Sequence, residues 1–152
     1  MKFLNPTNLL PAIPLRCLVL FPGIPTSFEI SSKRSVAAMK AASSLYGGKV
    51  FLSAVKNAEQ QSVKPEMYKT GVVAKVKQSL KLPDGNYRIL VEAFDRADIM
   101  SIVSDDEYTV VNVLTQKISI SDLSSVKVEA LVKEARDEFQ EYIKHMPKIS
   151  TE

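Results

Sequence analysis

The sequence is poor in the residues that most catalytic and metal sites are built from. Among 152 residues there is one cysteine, Cys17, and one histidine, His145. One cysteine excludes an internal disulfide framework. One histidine excludes a multi-histidine zinc site and leaves little for a mixed Cys/His site. Five glycines and eight prolines are too few for a collagen-like chain. Aromatic residues make up only 7%, and none alternates with basic residues along a strand, so the stacking platforms that bind single-stranded RNA have little support. No run reaches the roughly 18 consecutive apolar residues of a bilayer span. Pro6, Pro11 and Pro14 break any signal-like helix near the start. The expectation is a soluble cytoplasmic protein with a reduced thiol, in which Cys17 is an apolar filler.

What is present is an ordinary globular composition, 45% hydrophobic and 24% charged. This length fits one domain, or one domain with a helical extension, with enough apolar surface to bury a core. The formal charge of +3 is too small to argue for nucleic acid. It conceals an asymmetry: residues 1–80 carry 11 basic against 3 acidic side chains, and residues 81–152 carry 9 against 14. The lysines are scattered, so the simplest account is two faces that partly neutralise each other.

Leu9–Gly23 is strand-like but interrupted by prolines, which predicts an edge or bulged strand. Pro22-Gly23 is a turn, and Thr26–Ile30 a short strand. Ser31-Ser32 offer caps for a helix over Ser32–Tyr46 with Val36, Met39, Ala42 and Leu45 on its apolar side, and Gly47-Gly48 ends it. Val50–Val55 reads as a buried strand and Lys56–Tyr68 as a loop. Val72–Leu82 alternates, with Val72, Ala74, Val76, Gln78, Leu80 and Leu82 on one face and lysines on the other. Pro83-Asp84-Gly85-Asn86 turns the chain into Tyr87–Phe94. Two further strands are expected at Ile99–Val103 and Tyr108–Ile120. From about Ser121 the period changes to that of a helix of about six turns, with a stripe including Leu131, Ala135, Phe139, Tyr142 and Ile143, stopped by Pro147. The fold class is α+β, mainly β: a small open barrel with one early helix, then a long C-terminal helix.

The catalytic motifs fail one by one. Gly48-Lys49 is the nearest approach to a phosphate loop, but Ser43 and Val50 occupy the positions of its glycine and hydroxyl. The glycines at 23, 47, 48, 71 and 85 are too scattered for a dinucleotide fingerprint. His145 sits beside Pro147 at a helix end, a poor place for a triad base. Asp105-Asp106-Glu107 reads as a solvated turn, and Asp95 and Asp98 as surface partners of Arg96. No catalytic residue and no metal ligand is expected. What remains is apolar residues where water should reach. Leu80, Leu82 and Tyr87 form one group at the hairpin tip, and Phe21, Pro22, Ile24 and Pro25 a second in a loop. Either the 56–68 loop or the long helix covers them, or they mark protein contact, with Lys77 and Lys81 attracting acidic segments.

Several segments, in order, resemble a known family. Leu10-Pro11-Ala12-Ile13-Pro14-Leu15-Arg16 with Val19-Leu20-Phe21-Pro22-Gly23 is similar to the "P-L-R-x-x-V-x-F-P" opening of the amino-terminal domain of Lon, the ATP-dependent protease La. Lys33-Arg34-Ser35, Tyr68-Lys69-Thr70-Gly71-Val72-Val73-Ala74, Leu80-Lys81-Leu82-Pro83-Asp84-Gly85 and Val91-Glu92-Ala93-Phe94-Asp95-Arg96-Ala97 resemble later motifs of the same domain. Ala93 stands where that family more often has glycine, which puts a bulge there in question.

The resemblance implies a PUA-like β-barrel over 1–120, the start of a helical segment at 121–147 and a tail at 148–152. It implies a role in capturing unfolded or tagged proteins and in assembling a hexamer. The two apolar groups are the expected contacts for such segments. The helix stripe, longer than a small barrel can cover, is expected to pack on another helix or another copy. The ATPase and Ser-Lys proteolytic modules, with their ATP and Mg, would belong to the parent chain, and this chain would need no cofactor. No membrane or nucleic-acid partner is expected. The alternatives are a free-standing Lon-domain adaptor, or RNA binding by the barrel.

Overall fold

The computed structural model describes residues 9–116 and 125–146. The expected strand end at 117–120 and the helix stop at Pro147 lie outside the described residues. The chain divides into two compact units, Met1–Lys117 and Ile118–Glu152.

The first unit contains β1 (Leu9–Leu15), β2 (Pro25–Ile30), α1 (Lys33–Leu45), β3 (Lys49–Ala54), β4 (Thr70–Lys81), β5 (Tyr87–Asp105) and β6 (Thr109–Gln116). The sheet order is β2-β5-β4-β3-β1-β6, and β5 also pairs with β6. Five strands therefore close into a barrel-like ring, not evenly arranged round an axis, and β2 hangs on β5 outside it. Every pairing is antiparallel except β1 with β3. That parallel pair needs a crossover, which β2 and α1 supply.

The core lies on both faces of β1, β3 and β4. Ile13, Leu15, Val50, Leu52, Val72 and Ala74 pack with Ala38, Met39 and Ala42 of α1. Leu10, Ala12, Phe51 and Val73 pack on the other face with Ala97, Val111 and Val113. This is why Val50–Val55 reads as an unbroken apolar run: strands covered on both sides have no polar face to alternate with.

The expected edge position of β1 is corrected, because β1 lies between β3 and β6. It pairs with β6 over Leu9–Ala12 and with β3 over Ala12–Leu15, so only Ala12 is paired on both sides. Pro11 and Pro14 each fall where a single neighbour is paired, and a missing N–H costs no ladder bond on the open side. Cys17 is not a core filler. It is exposed, with φ of 56°, in the turn that leaves β1.

Ser32 caps α1, its side chain accepting from the Ser35 N–H. At the other end the Gly48 N–H donates to the Ala42 carbonyl, with Gly47 at φ 61°. The buried side is Ser35, Ala38, Met39, Ala41 and Ala42, and the expected stripe residue Leu45 is exposed. A strict three-residue spacing drifts around a helix of 3.6 residues per turn and carries Leu45 out of the core face.

The two strands expected at Tyr87–Phe94 and Ile99–Val103 are one, the 19-residue β5. Its first part pairs with β2 and β4, and its last part with β6. Register shifts let it bend: the extra residues are Phe94 against β4, and Met100 and Val103 against β6. Alanine at position 93 thus keeps the bulge that the departure from glycine put in question.

In the second unit α2 (Val126–Lys144) starts at the cap Ser125, whose hydroxyl accepts from Val128 N–H at 3.3 Å. Glu129 in its first turn and Lys144 in its last suit the helix dipole. No α2 residue is buried. Phe139 and Tyr142 stack with ring centres 6.5 Å apart, and Leu131 is exposed with them. No helix among the described residues is long and apolar enough to cross a membrane.

Candidate functional site

The Phe21–Pro25 loop is tied to β5 where the Gly23 N–H donates to the Ala93 carbonyl at 2.8 Å. Phe21 and Ile24 are 62% and 55% exposed, and the 56–68 loop does not bury them. Val19 and Phe94 are exposed near it in the chain and across the Gly23–Ala93 bond. Phe94 follows the strand period, on the face opposite buried Ile89, Val91 and Ala93, and it stands at a bulge as the extra residue against β4.

The second group sits at the other end of β2. Leu80 is 59% exposed and paired with Arg88, whereas Leu82 and Tyr87 are half-buried. Tyr87 packs on the first core cluster, with the Lys40 ammonium 5.8 Å from its ring centre. Pro25 pairs with Glu92 and Ile30 with Tyr87, so the loop and the hairpin flank β2 roughly 17 Å apart at the usual strand rise. The structure does not bring the two groups together. Lys77 is the extra residue of a bulge and its ammonium is 2.6 Å from Glu92, while Lys81 is exposed.

A groove lies elsewhere among the described residues. It has a volume of about 980 Å³ and runs between the end of β1, the Phe28–Ile30 end of β2, the N-terminus of α1, the 56–69 loop and the far half of β5. That loop follows from its composition: it has no apolar run to pair as a strand, and it is held by side chains. The Arg16 guanidinium donates to the carbonyls of Ala58 at 3.1 Å and Gln60 at 2.8 Å. Lys56 pairs with Glu66, and the Ser53 hydroxyl reaches the Tyr68 and Thr70 carbonyls.

Asp105 is the hub of the opposite wall. Its carboxylate accepts from Arg34, from the Thr109 hydroxyl at 2.7 Å and from Lys64, whose ammonium is 2.9 Å away. The Lys64 ammonium also donates to the Asp105 carbonyl at 2.6 Å, and Arg34 donates to the Asp106 carbonyl. The solvated turn expected at Asp105–Glu107 is therefore corrected at Asp105. Its partners lie 41 and 71 positions away, beyond any local pattern. The expected Asp98–Arg96 ion pair is also absent among the described residues. Asp98 accepts from Thr70 and Gln116 instead, at 2.7 and 2.8 Å, and the Thr70 hydrogen bond holds its carboxyl below the ordinary aspartate value.

Partial burial pushes the Asp105 carboxyl up, but hydrogen bonds from Lys64 and Thr109 and the charges of Arg34 and Lys64 outweigh it and hold it below 3.8. Because the folded value is the lower one, the network stabilises the native state above the unfolded pKa. That stability is lost as the pH falls through the folded pKa. The urea midpoint should therefore drop between about pH 5 and pH 2, and Asp105→Asn should flatten that part of the profile. A wild-type-like acid slope in Asp105→Asn would remove Asp105 from the account.

Comparison with known proteins adds a consistent set of likenesses. Residues 9–152 match the family model of the ATP-dependent protease La (LON) substrate-binding domain. The chain is 34% identical over 140 residues to Lon protease of Solibacter usitatus, covering 91% of this chain and 17% of the relative. It is 33% identical over 146 residues to Lon protease 3 of Sorangium cellulosum, again spanning 17% of that protein's length. The fold is similar to the N-terminal domain of Mycobacterium avium complex Lon protease, with a TM-score of 0.66 at 18% identity over 94% of this chain and 76% of that one.

Proposed function

This chain belongs to the family of ATP-dependent protease La (LON) substrate-binding domains, and from that premise we propose that it selects unfolded or damaged proteins for an ATP-dependent protease. The catalytic work would fall to ATPase and proteolytic modules in the rest of a parent chain, of which this domain's length is about one-sixth in the curated relatives. The observation that carries the recognition role is a ring-shaped β-domain with exposed apolar side chains at both ends of β2, Phe21 and Ile24 at one and Leu80 at the other. Apolar surface of this kind binds what a folded protein hides and an unfolded one shows. Two separate patches suit an extended client better than a compact one, since a flexible segment can span them and gain from both contacts.

The test is binding of a reduced and alkylated globular protein, followed by fluorescence anisotropy. Replacing Leu80 and Leu82 together by Ser should weaken binding about tenfold, the equivalent of losing one well-buried apolar contact. Phe21→Ser with Ile24→Ser should do the same from the other end of β2. Wild-type affinity in both variants, with the fold intact by circular dichroism, would refute the role of these patches.

A further inference from the structure

The groove under the 56–69 loop is distinct from the two apolar patches, and its lining has a definite chemistry. Six cationic side chains line it against three carboxylates, Glu29, Glu66 and Asp105. Each carboxylate is already engaged: Glu29 by Arg88, Glu66 by Lys56, Asp105 by Arg34 and Lys64. Among the described residues Lys33 and Lys69 make no ion pair, although the Lys69 charge acts on nearby Asp98, and Arg16 bonds only to backbone carbonyls. Lys33 also opens α1, whose first turn holds no acid. The dipole there disfavours a cation and favours an incoming anion.

Between these charges the walls are apolar. Val63 on the loop is 80% exposed and Ile102 on β5 is 61% exposed, and both line the groove with Leu18 and Phe28. Phe28, Glu29 and Ile30 are consecutive, and side chains alternate along a strand, so the groove runs along β2 and not over one face of it. Among the described residues β2 pairs with β5 alone. Its second edge is unpaired among the described residues, and an unpaired edge can accept an extended chain.

We propose that this groove holds an extended acidic–apolar segment of a client protein, laid along β2 with its carboxylates against Lys33 and Lys69 and its apolar side chains against Val63 and Ile102. The proposal rests on the substrate-recognition function above and deepens it. The apolar patches would take any unfolded chain, and the groove would rank chains by acidic residues placed among apolar ones.

The test uses two short unstructured peptides with the same leucines, one carrying aspartates and the other lysines in their place, with affinity read by fluorescence anisotropy. The aspartate peptide should bind the whole chain about tenfold more tightly, and the preference should shrink as salt rises from about 0.05 to 0.5 M. Lys33→Glu with Lys69→Glu, both exposed, should reverse the preference with the fold intact by circular dichroism. Alternate N-methylation of the peptide backbone should weaken binding severalfold, because strand addition needs its N–H groups. Equal affinity for both peptides, an unaltered preference in the double variant, or equal binding of a single-stranded RNA of the same charge would overturn the groove assignment. In those cases binding of the alkylated protein would still stand or fall with the Phe21 and Leu80 variants. If wild-type chain bound neither the peptides nor the alkylated protein, the recognition function would fall as well.

Discussion

Gly71→Ala should destabilise this domain by about 3 kcal/mol, the upper range for overpacking a close-packed site. A Cβ at position 71 would lie 2.4 Å from the Leu52 carbonyl oxygen, 2.7 Å from Cζ of Phe51 and 2.9 Å from Cβ of Ser53. The first contact is with the β3 backbone, which cannot move without breaking its pairing to β1 and β4. The second is with a ring that has no exposed surface. Neither neighbour can yield cheaply, unlike the flexible end of a lysine. The melting temperature should fall by about 12 °C for a domain of this size, and Gly71→Val should not fold. Gly23→Ala is the control: its φ is +85°, but nothing lies within 4 Å of the added carbon. It should lose only about 1 kcal/mol, the cost of a left-handed backbone. A Gly71→Ala protein melting within about 2 °C of wild type, roughly 0.5 kcal/mol, would show that β3 and β4 separate more easily than the packing implies.

The second large effect comes from deleting the same aromatic ring at two places. Phe51→Ala should cost about 3–5 kcal/mol, because the ring is wholly buried in the cluster formed with Leu10, Val73, Ala97 and Val111. Phe21→Ala should change stability by no more than about 0.5 kcal/mol, since that ring is 62% exposed. Client binding should behave in the opposite way. Phe21→Ala should weaken capture of the alkylated protein severalfold at unchanged stability. Phe51→Ala should lose capture only to the extent that the domain unfolds. Urea midpoints and anisotropy titrations on the two variants separate a core ring from a recognition ring. Equal losses of stability would contradict the burial difference.

The same pair of residues shows how far the sequence could be read. Phe51 lies in an apolar run of strand length and was recognisable as core. Phe21 lies beside Pro22-Gly23, where no regular element can bury it. Phe94 was not recognisable. Alternation from Ile89, Val91 and Ala93 puts its ring outward, but nothing local tells an outward apolar residue covered by a neighbouring element from one left in solvent. Lys77, Met100 and Val103 stand at register shifts. Each shift resets the count of two on which a strand pattern depends. That is also why β5 read as two strands and why Leu80, on a nominal core face, ends in solvent.

The groove was illegible for a different reason. Arg16, Arg34, Lys64 and Asp105 belong to four separate segments, and nothing in their spacing couples them. Arg16 and Arg34 were visible only as members of quoted motifs. Their jobs, holding the 56–62 backbone and gathering Asp105, exist only once β1, α1 and the end of β5 are neighbours.

By itself the sequence determined an ordinary core, turns and caps at Ser31-Ser32, Gly47-Gly48 and Gly85, and an ordered set of motifs that identifies the family. These are local properties of composition, period and backbone preference, and they persist whatever the strands do next. Tertiary structure decided which surfaces are available. Ring closure through β5 and β6 left one edge of β2 unpaired among the described residues, the bulge at Lys77 turned Leu80 toward water, and long-range ion pairs built a basic groove. Those outcomes depend on contacts between residues tens of positions apart, formed only as the chain closes on itself.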